Sequence, residues 1–450
     1  MQLSLFEMDR KYLWHPSTQM KDFETEDHVL ITRADGIRLY DANGKAYYDT
    51  ISSWWCNVHG HNHPKVKEAI KSQLDRFDHV LFAGLTHENA IRAAEMLVQV
   101  TPQRLCKVFF SDNGSTACEI ALKMSYQYWK NSGKEQKQEF VALELGYHGD
   151  TIGAMSVGGT SLFDSPFSTL LFRAHKVPSP YCYRCRFGKS RDNCELDCIK
   201  PLEELLRARN GQIAGIILEP LVQGAGGMII YPVEYLNEVG RLAREYGVHL
   251  IADEVAVGFG RTGKMFATEF STAEPDFMCV SKGLTNGCLP LAATITTQEV
   301  YDAFYDDYEK NKTFYHGHTF TANPLATAAA VASLQVFQEE DTIEKSASKI
   351  ACLHQEMERF RELPHVGDVR CKGMIAALEL VRDKDTTEPF TFEERVGWRV
   401  YQEGLKTGII LRPLGNVNYL FLPLCITQDE LADVLQLMHE VVSNTVQNLE

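Results

Sequence analysis

Short apolar runs alternate along the chain with stretches in which apolar residues recur at helical spacing. That alternation predicts an α/β protein with a largely parallel sheet. Four runs read as buried strands: Lys107-Val108-Phe109-Phe110, Gly215-Ile216-Ile217-Leu218, His249-Leu250-Ile251-Ala252 and Phe277-Met278-Cys279-Val280. The last three switch abruptly to polar residues, at Glu219-Pro220, Asp253-Glu254 and Ser281-Lys282-Gly283. Ligands of open parallel sheets bind at the carboxyl ends of the strands, so a Glu, an Asp and a Lys at three such ends predict one shared site. The first run leads through Ser111-Asp112-Asn113-Gly114-Ser115-Thr116 into a helix-periodic segment, Ala117 to Trp129. A polar turn at a helix start offers free N–H groups and the positive end of the helix dipole to a phosphate. The same residue types also serve as ordinary helix caps. From about Val336 onward charged helical segments dominate, followed by the apolar Tyr419-Leu420-Phe421-Leu422-Pro423. Residues 1–60 and 336–450 are therefore read as a smaller α+β domain flanking a large domain, 61–335.

Composition narrows the possible partners. Of 450 residues, 44% are hydrophobic and 23% charged, as in ordinary globular proteins. A net charge of -15 argues against a nucleic-acid partner, because phosphate backbones are bound by clustered Lys and Arg. No apolar run approaches the roughly 20 residues of a membrane span. Residues Met1 to Met20 mix Glu7, Asp9, Arg10, Lys11 and His15 with apolar positions, unlike a signal peptide. The expectation is a cytoplasmic enzyme without a membrane partner. Of twelve cysteines, Cys106, Cys118, Cys279 and Cys371 read as small buried hydrophobes. Four others are grouped: Cys182 and Cys185, then Cys194 and Cys198, bracket a basic loop. Their spacing suits a structural zinc site, or else packing or redox-sensitive thiols; no catalytic metal is expected.

The strand-end residues match the needs of an aldehyde cofactor: an amine to form the imine, an anion for the ring nitrogen, a phosphate cup and an aromatic lid. Lys282 follows an apolar strand, where desolvation favours the neutral nucleophilic amine. Asp253 is the candidate partner of a protonated pyridine nitrogen, Gly114 and Ser115 the cup, and Tyr147, in Gly146-Tyr147-His148-Gly149-Asp150, the lid. Each has a plainer alternative as a solvated loop lysine, a helix cap or a packed loop aromatic, so the case rests on their joint occurrence.

Leu250 to Gly263 (LIADEVAVGFGRTG), then Pro275-Asp276 and Ser281-Lys282-Gly283, resembles the signature of the class III, fold-type I aminotransferases, and the likeness is collinear along essentially the whole chain. The resemblance implies pyridoxal 5'-phosphate as cofactor, held in the large domain. Lys282 would carry the imine and shuttle the proton, Asp253 would pair with the pyridinium nitrogen, and Gly114 and Ser115 would hold the phosphate. Glu219 and Gln223 would lie near the ring's oxygen side. The resemblance also implies a homodimer with shared active sites: in His316-Gly317-His318-Thr319-Phe320, Thr319 would reach the phosphate bound by the other subunit, with His318 beside it and Gly317 toward substrate. Arg261, in Gly260-Arg261-Thr262-Gly263, is expected to hold loop geometry or assist binding.

Within that family, Trp14-His15-Pro16, Ser52-Ser53-Trp54-Trp55, His59 to Pro64, Glu219 to Gly227 and Leu411 to Gly415 are most similar to members converting 8-amino-7-oxononanoate to 7,8-diaminononanoate. Trp54 and Trp55 would cover the aliphatic chain, and Arg412 would grip the carboxylate; core packing and a surface salt bridge are their plainer readings. Relatives use S-adenosylmethionine or lysine as amino donor. The tryptophan pair resembles the S-adenosylmethionine users, but Ser17 stands where those carry an aromatic residue. Phe304 to His318 and Leu363 to Asp368 are closer to the lysine users. S-adenosylmethionine is the expected donor, lysine the alternative. Other ω-amino-acid transaminases, and a non-catalytic zinc-organised interaction protein, are the competing readings.

Overall fold

The computed structural model describes residues 3–26, 28–159 and 161–449. Its centre is a seven-stranded sheet made of β1 (Leu105–Ser111), β2 (Glu139–Leu143), β3 (His175–Val177), β4 (Ile213–Leu218), β5 (His249–Asp253), β6 (Phe277–Val280) and β7 (Ala292–Thr297), in the order β1-β7-β6-β5-β4-β2-β3. All pairings are parallel except the two made by β7. β7 runs against both β1 and β6, so β1 points the same way as the other five strands, and six carboxyl ends share one edge. Every residue of β4, β5 and β6 is buried, as expected of central strands covered on both faces. The four expected strands are all present, each extended by at most two residues at either end.

The turn after β1 opens the helix Gly114–Asn131, three residues earlier than the apolar periodicity alone suggests. Asn113 caps it, its side chain accepting from Thr116 N at 3.1 Å. On another side, the alanine-rich helix Pro324–Glu339, buried nearly all round, packs against Pro64–Leu74 and Glu88–Val100. This helix runs through residue 336, where periodicity and chemistry change along the chain.

The chain ends meet. A second sheet joins Val366–Lys372, Ile375–Asp383 and Val417–Phe421. The N-terminal strands Ile31–Asp35, Arg38–Asp41 and Ala46–Tyr48 lie beside it, tied by Tyr48 N to the Gly408 carbonyl at 2.8 Å and Phe421 N to the Thr50 carbonyl at 2.7 Å. The first and last segments thus pack against each other, and the strand Ala46–Tyr48 leads into the loop Ser52–Trp55, whose Trp55 ring lies beside Lys282.

Candidate active site

Asp253 and Lys282 stand at neighbouring strand ends. In the parallel register of β5 and β6, Asp253 lies opposite Cys279, and the chain continues from Cys279 through Val280 and Ser281 to Lys282. Lys282 occupies the left-handed region at φ 43, in a turn that rotates its side chain out of the strand line. Its surface is only partly covered, yet the amine is surrounded closely enough that burial lowers its pKa. The carboxylates of Asp253 and Glu219 act in the opposite sense. The amine lies 4.7 Å from the centre of the Trp55 ring.

Asp253 is 4% exposed. It accepts from Val255 N at 3.1 Å and from Cys118 Sγ at 3.5 Å, and its Oδ2 is 2.7 Å from His148 Nδ1. A carboxylate only accepts, so the proton between them sits on Nδ1. Cys118, His148 and Asp253 also form the group of potential metal-binding atoms that cluster within 4.8 Å among the described residues. Its strand-end position and the hydrogen-bonded histidine give this carboxylate the chemistry to pair with a cationic ring.

Glu219, at the end of β4, receives Tyr147 N at 3.0 Å and Gly224 N at 2.8 Å. Burial is the main cause, and the charge of Asp253 the next, that pushes its pKa up to about 8. Gln223 is fully buried, yet among the described residues neither its amide oxygen nor its amide nitrogen has a partner. A buried amide with both ends unpaired costs several kcal/mol, so Gln223 fits a polar group entering from outside the protein, such as the ring oxygen of pyridoxal phosphate.

Ser115, at the start of the helix after β1, meets the loop that follows β2. Ser115 Oγ is 2.7 Å from Thr151 Oγ1 and accepts from Thr151 N at 3.0 Å. Gly149, at φ 116, crosses so closely that an added Cβ would lie 2.3 Å from Ser115. At Gly114 a Cβ would lie 2.4 Å from Val255 Cγ1, so only glycine lets the helix start approach the strand end carrying Asp253. Tyr147 is half-buried on the same loop, edge-on to Phe163 at 5.9 Å, and burial raises its hydroxyl pKa, with Asp150 adding to it.

The two tryptophans separate. Trp55 is 4% exposed, stacks on Phe421 at 5.4 Å and donates to Tyr419 Oη at 3.0 Å; it packs into the core beneath Lys282. Trp54 is 45% exposed, and the Arg412 guanidinium lies 4.8 Å above its ring. Ser52, Ser53, Trp54 and Trp55 all have positive φ, at 50, 58, 140 and 69. Such strain is held only where the surroundings dictate it. Asp49 accepts from Ser53 N at 2.8 Å and Ser53 Oγ at 2.6 Å. The fully buried Arg261 donates to Ser52 Oγ, Leu422 O, Trp55 O and Asn57 O. Burial pulls its pKa down to about 10. Arg261 therefore holds loop geometry, as its glycine-flanked motif suggests.

Ser17 and Arg412 line one large cleft of about 1620 Å³ between the N-terminal segment and the helix Val396–Thr407. Gly317 and Thr319 are exposed, and His318 is partly buried 3.9 Å from Asp112, beside the cup. Of the cysteines expected inside, Cys118 and Cys279 are buried while Cys106 and Cys371 are only partly covered. The residue that sequence reasoning quoted but gave no role is His148; its signal was its place one residue after Tyr147. Among the described residues, no helix is long and apolar enough to cross a membrane.

The family model of class-III aminotransferases matches residues 20–442. The chain belongs to this family. The adenosylmethionine-8-amino-7-oxononanoate aminotransferase of Geobacter sulfurreducens is 49% identical over 95% of both chains, and that of Aquifex aeolicus 47% identical over 96% of this chain and 95% of its own. The crystal structure of the same-named enzyme from Methanocaldococcus jannaschii superposes with a TM-score of 0.93 at 41% identity, covering 98% of each chain. A PLP-bound amine transaminase from an uncultivated Pseudomonas species superposes at 0.92 and 35% identity, covering 98% of this chain and 99% of its own. The class-III aminotransferase described here thus keeps the family fold from end to end.

Proposed function

We propose that this aminotransferase converts 8-amino-7-oxononanoate to 7,8-diaminononanoate, a step of biotin biosynthesis, with pyridoxal phosphate as cofactor and S-adenosylmethionine as amino donor. The observation that carries this reading is a partly desolvated amine and a buried carboxylate at neighbouring strand ends, in a chain 49% identical to a relative of that name. When bound, pyridoxal phosphate supplies an aldehyde carbon to carry the amino group and a ring to absorb electron density when the substrate carbon loses its proton. Gly114 and Ser115 would hold the phosphate, Asp253 the ring nitrogen, Gln223 and Glu219 the ring-oxygen side, and Tyr147 a ring face.

Lys282 Nζ moves the proton. Burial favours its neutral form, so it takes a proton from the substrate carbon as a base and returns it as an acid. Asp253, fixed in place by His148 Nδ1–H, would sit against the ring nitrogen and keep the ring electron-poor. Trp55, packed below Lys282, limits where the amine can swing and excludes water from one side. Arg412, with Trp54 against it, would bind the carboxylate end of the substrate by paired hydrogen bonds while the indole covers its methylenes. Donor and acceptor use this site in turn.

Two copies of the chain would complete the site. The exposed Thr319, Gly317 beside it and His318 next to Asp112 are offered outward to a second subunit, which fits the shared phosphate contact that the family resemblance implies. Lysine as donor is the second reading, favoured by Ser17: its small side chain in the cleft leaves out the aromatic surface expected of S-adenosylmethionine users.

The deciding experiment incubates the purified enzyme with 8-amino-7-oxononanoate and either S-adenosylmethionine or lysine, and measures 7,8-diaminononanoate. Product with S-adenosylmethionine supports the proposal. Product with lysine alone moves the donor, and product with neither removes the substrate.

A further inference from the structure

Residues 178–199 link β3 to the helix Lys200–Ala208 with no strand and only two three-residue helical turns, Arg191–Asn193 and Asp197–Ile199. A connection of this length without regular structure needs something other than backbone pairing to fix its course. Side chains fix part of it. Tyr181 and Arg184 bind Glu379, Arg184 Nη1 donates to the Thr387 carbonyl at 2.8 Å, and Arg186 grips Glu144 with two bonds of 2.9 and 2.5 Å. Between these anchors Cys182, Cys185, Cys194 and Cys198 line one cavity of about 240 Å³, together with Arg186, Lys189 and Arg191. All four are free thiols. Cys182 and Cys185 lie on a tight bend that Gly188, at φ +64, closes by donating to the Cys185 carbonyl at 3.1 Å. Cys198 lies in the turn leading into Lys200–Ala208.

We propose that Cys182, Cys185, Cys194 and Cys198 bind one zinc ion as four thiolates, and that this ion is the structural staple of the 178–199 connection. Two sulfurs from a tight bend, one from just after the turn Arg191–Asn193 and one from the turn entering Lys200–Ala208, all lining one cavity, make up the ligand set of a closed tetrahedral site. Four thiolates around a divalent ion leave an excess of negative charge, which Lys189 and Arg191 in the same lining offset, Arg186 being already paired with Glu144. No three of these sulfurs lie within 4.8 Å of one another. Zinc–sulfur bonds of about 2.3 Å would draw them inward into the cavity they already face, each thiol giving up its proton on binding. The staple stands beside the cofactor loop: Leu145 N donates to Ser179 Oγ at 3.1 Å, and Arg186 holds Glu144, both just before Gly146-Tyr147. Its role is support, independent of which substrate the enzyme uses.

The test is elemental analysis of the pyridoxal-phosphate-loaded enzyme purified under reducing conditions. Zinc near one per chain is expected, lost in the Cys194→Ser/Cys198→Ser double variant and kept in Cys106→Ser. Should the double variant fail to fold, cobalt loading of the wild-type chain keeps the question answerable, since four thiolates give a cobalt ion intense sulfur-to-metal absorption and tetrahedral visible bands. Zinc retained in a folded double variant, cobalt bound without those bands, iron with labile sulfide in place of zinc, or the four cysteines recovered as disulfides would each overturn the proposal.

Discussion

His148 Nδ1 stands 2.7 Å from Asp253 Oδ2, both side chains buried, and among the described residues His148 Nε2 has no partner of its own. The histidine has one strong contact, and that contact fixes the carboxylate at the strand end. Replacing it removes a donor from a buried acceptor, at a cost of about 1–3 kcal/mol. His148→Phe is expected to lower both the melting temperature of the cofactor-free enzyme and its affinity for pyridoxal phosphate, with a larger fall in kcat than in substrate affinity. Cofactor titration and steady-state kinetics check this. Unchanged cofactor affinity would show that Asp253 needs no orienting partner.

For Lys282→Ala the structure predicts separate outcomes for activity and stability. The side chain is desolvated and its own proton affinity is lowered by burial, so its removal leaves the fold intact or slightly more stable. Loss of a positioned acid–base group lowers turnover by about 10²–10⁴-fold, and loss of the imine-forming amine lowers it further. Thermal melting alongside single-turnover measurements tests both halves. A variant that keeps wild-type turnover would remove Lys282 from the reaction.

The strand ends carrying Glu219, Asp253 and Lys282 were legible in the sequence because a central parallel strand is apolar throughout, so the first charged residue after it marks the sheet edge. The turn that opens the helix after β1 was legible for a related reason: Asn113-Gly114-Ser115 combines a capping residue with a glycine that a close approach requires. Trp54 and Trp55 were less legible. Adjacent residues of one type look alike in a sequence, and only the four positive φ values at Ser52–Trp55 send one indole into the core and leave the other exposed. His148 was hidden because its partner lies 105 residues away, a pairing that local pattern does not encode.

Arg412 offers a test of substrate orientation. Among the described residues it forms no ion pair; its guanidinium lies over Trp54 at the rim of the large cleft. Arg412→Lys keeps the charge but loses the planar fork. Hydrogen bonds to a charged group are worth about 1.5–3 kcal/mol, so KM for 8-amino-7-oxononanoate is expected to rise about 10–100-fold with kcat nearly unchanged. The reverse split, with kcat falling at constant KM, would place Arg412 away from the substrate carboxylate.

Glu219 makes the cofactor-free enzyme sensitive to alkali. Its carboxyl, pushed up to about 8 by burial and by Asp253, holds its proton more tightly in the folded chain than in the unfolded one. A raised folded pKa contributes stability that is complete below about 4.5 and is lost as pH climbs through about 8. Buried His59 and His249, pulled down to about 3 mainly by burial, work in the other direction, favouring the folded state as pH rises, but only up to about 6.5. Between about pH 6.5 and 8 the carboxyls therefore act unopposed by these histidines, Glu254 adding to the effect with a pKa pushed up to about 7. Melting temperature should fall across that window by an amount on the order of a few kcal/mol in stability. Glu219→Gln lowers stability overall, because its amide NH₂ must face one of the two backbone donors that Glu219 now accepts. The slope in that window should nonetheless flatten, since the amide does not titrate. Melting curves of wild type and variant at several pH values separate the two effects, and parallel curves would show that Glu219 is ionised in the folded chain at neutral pH.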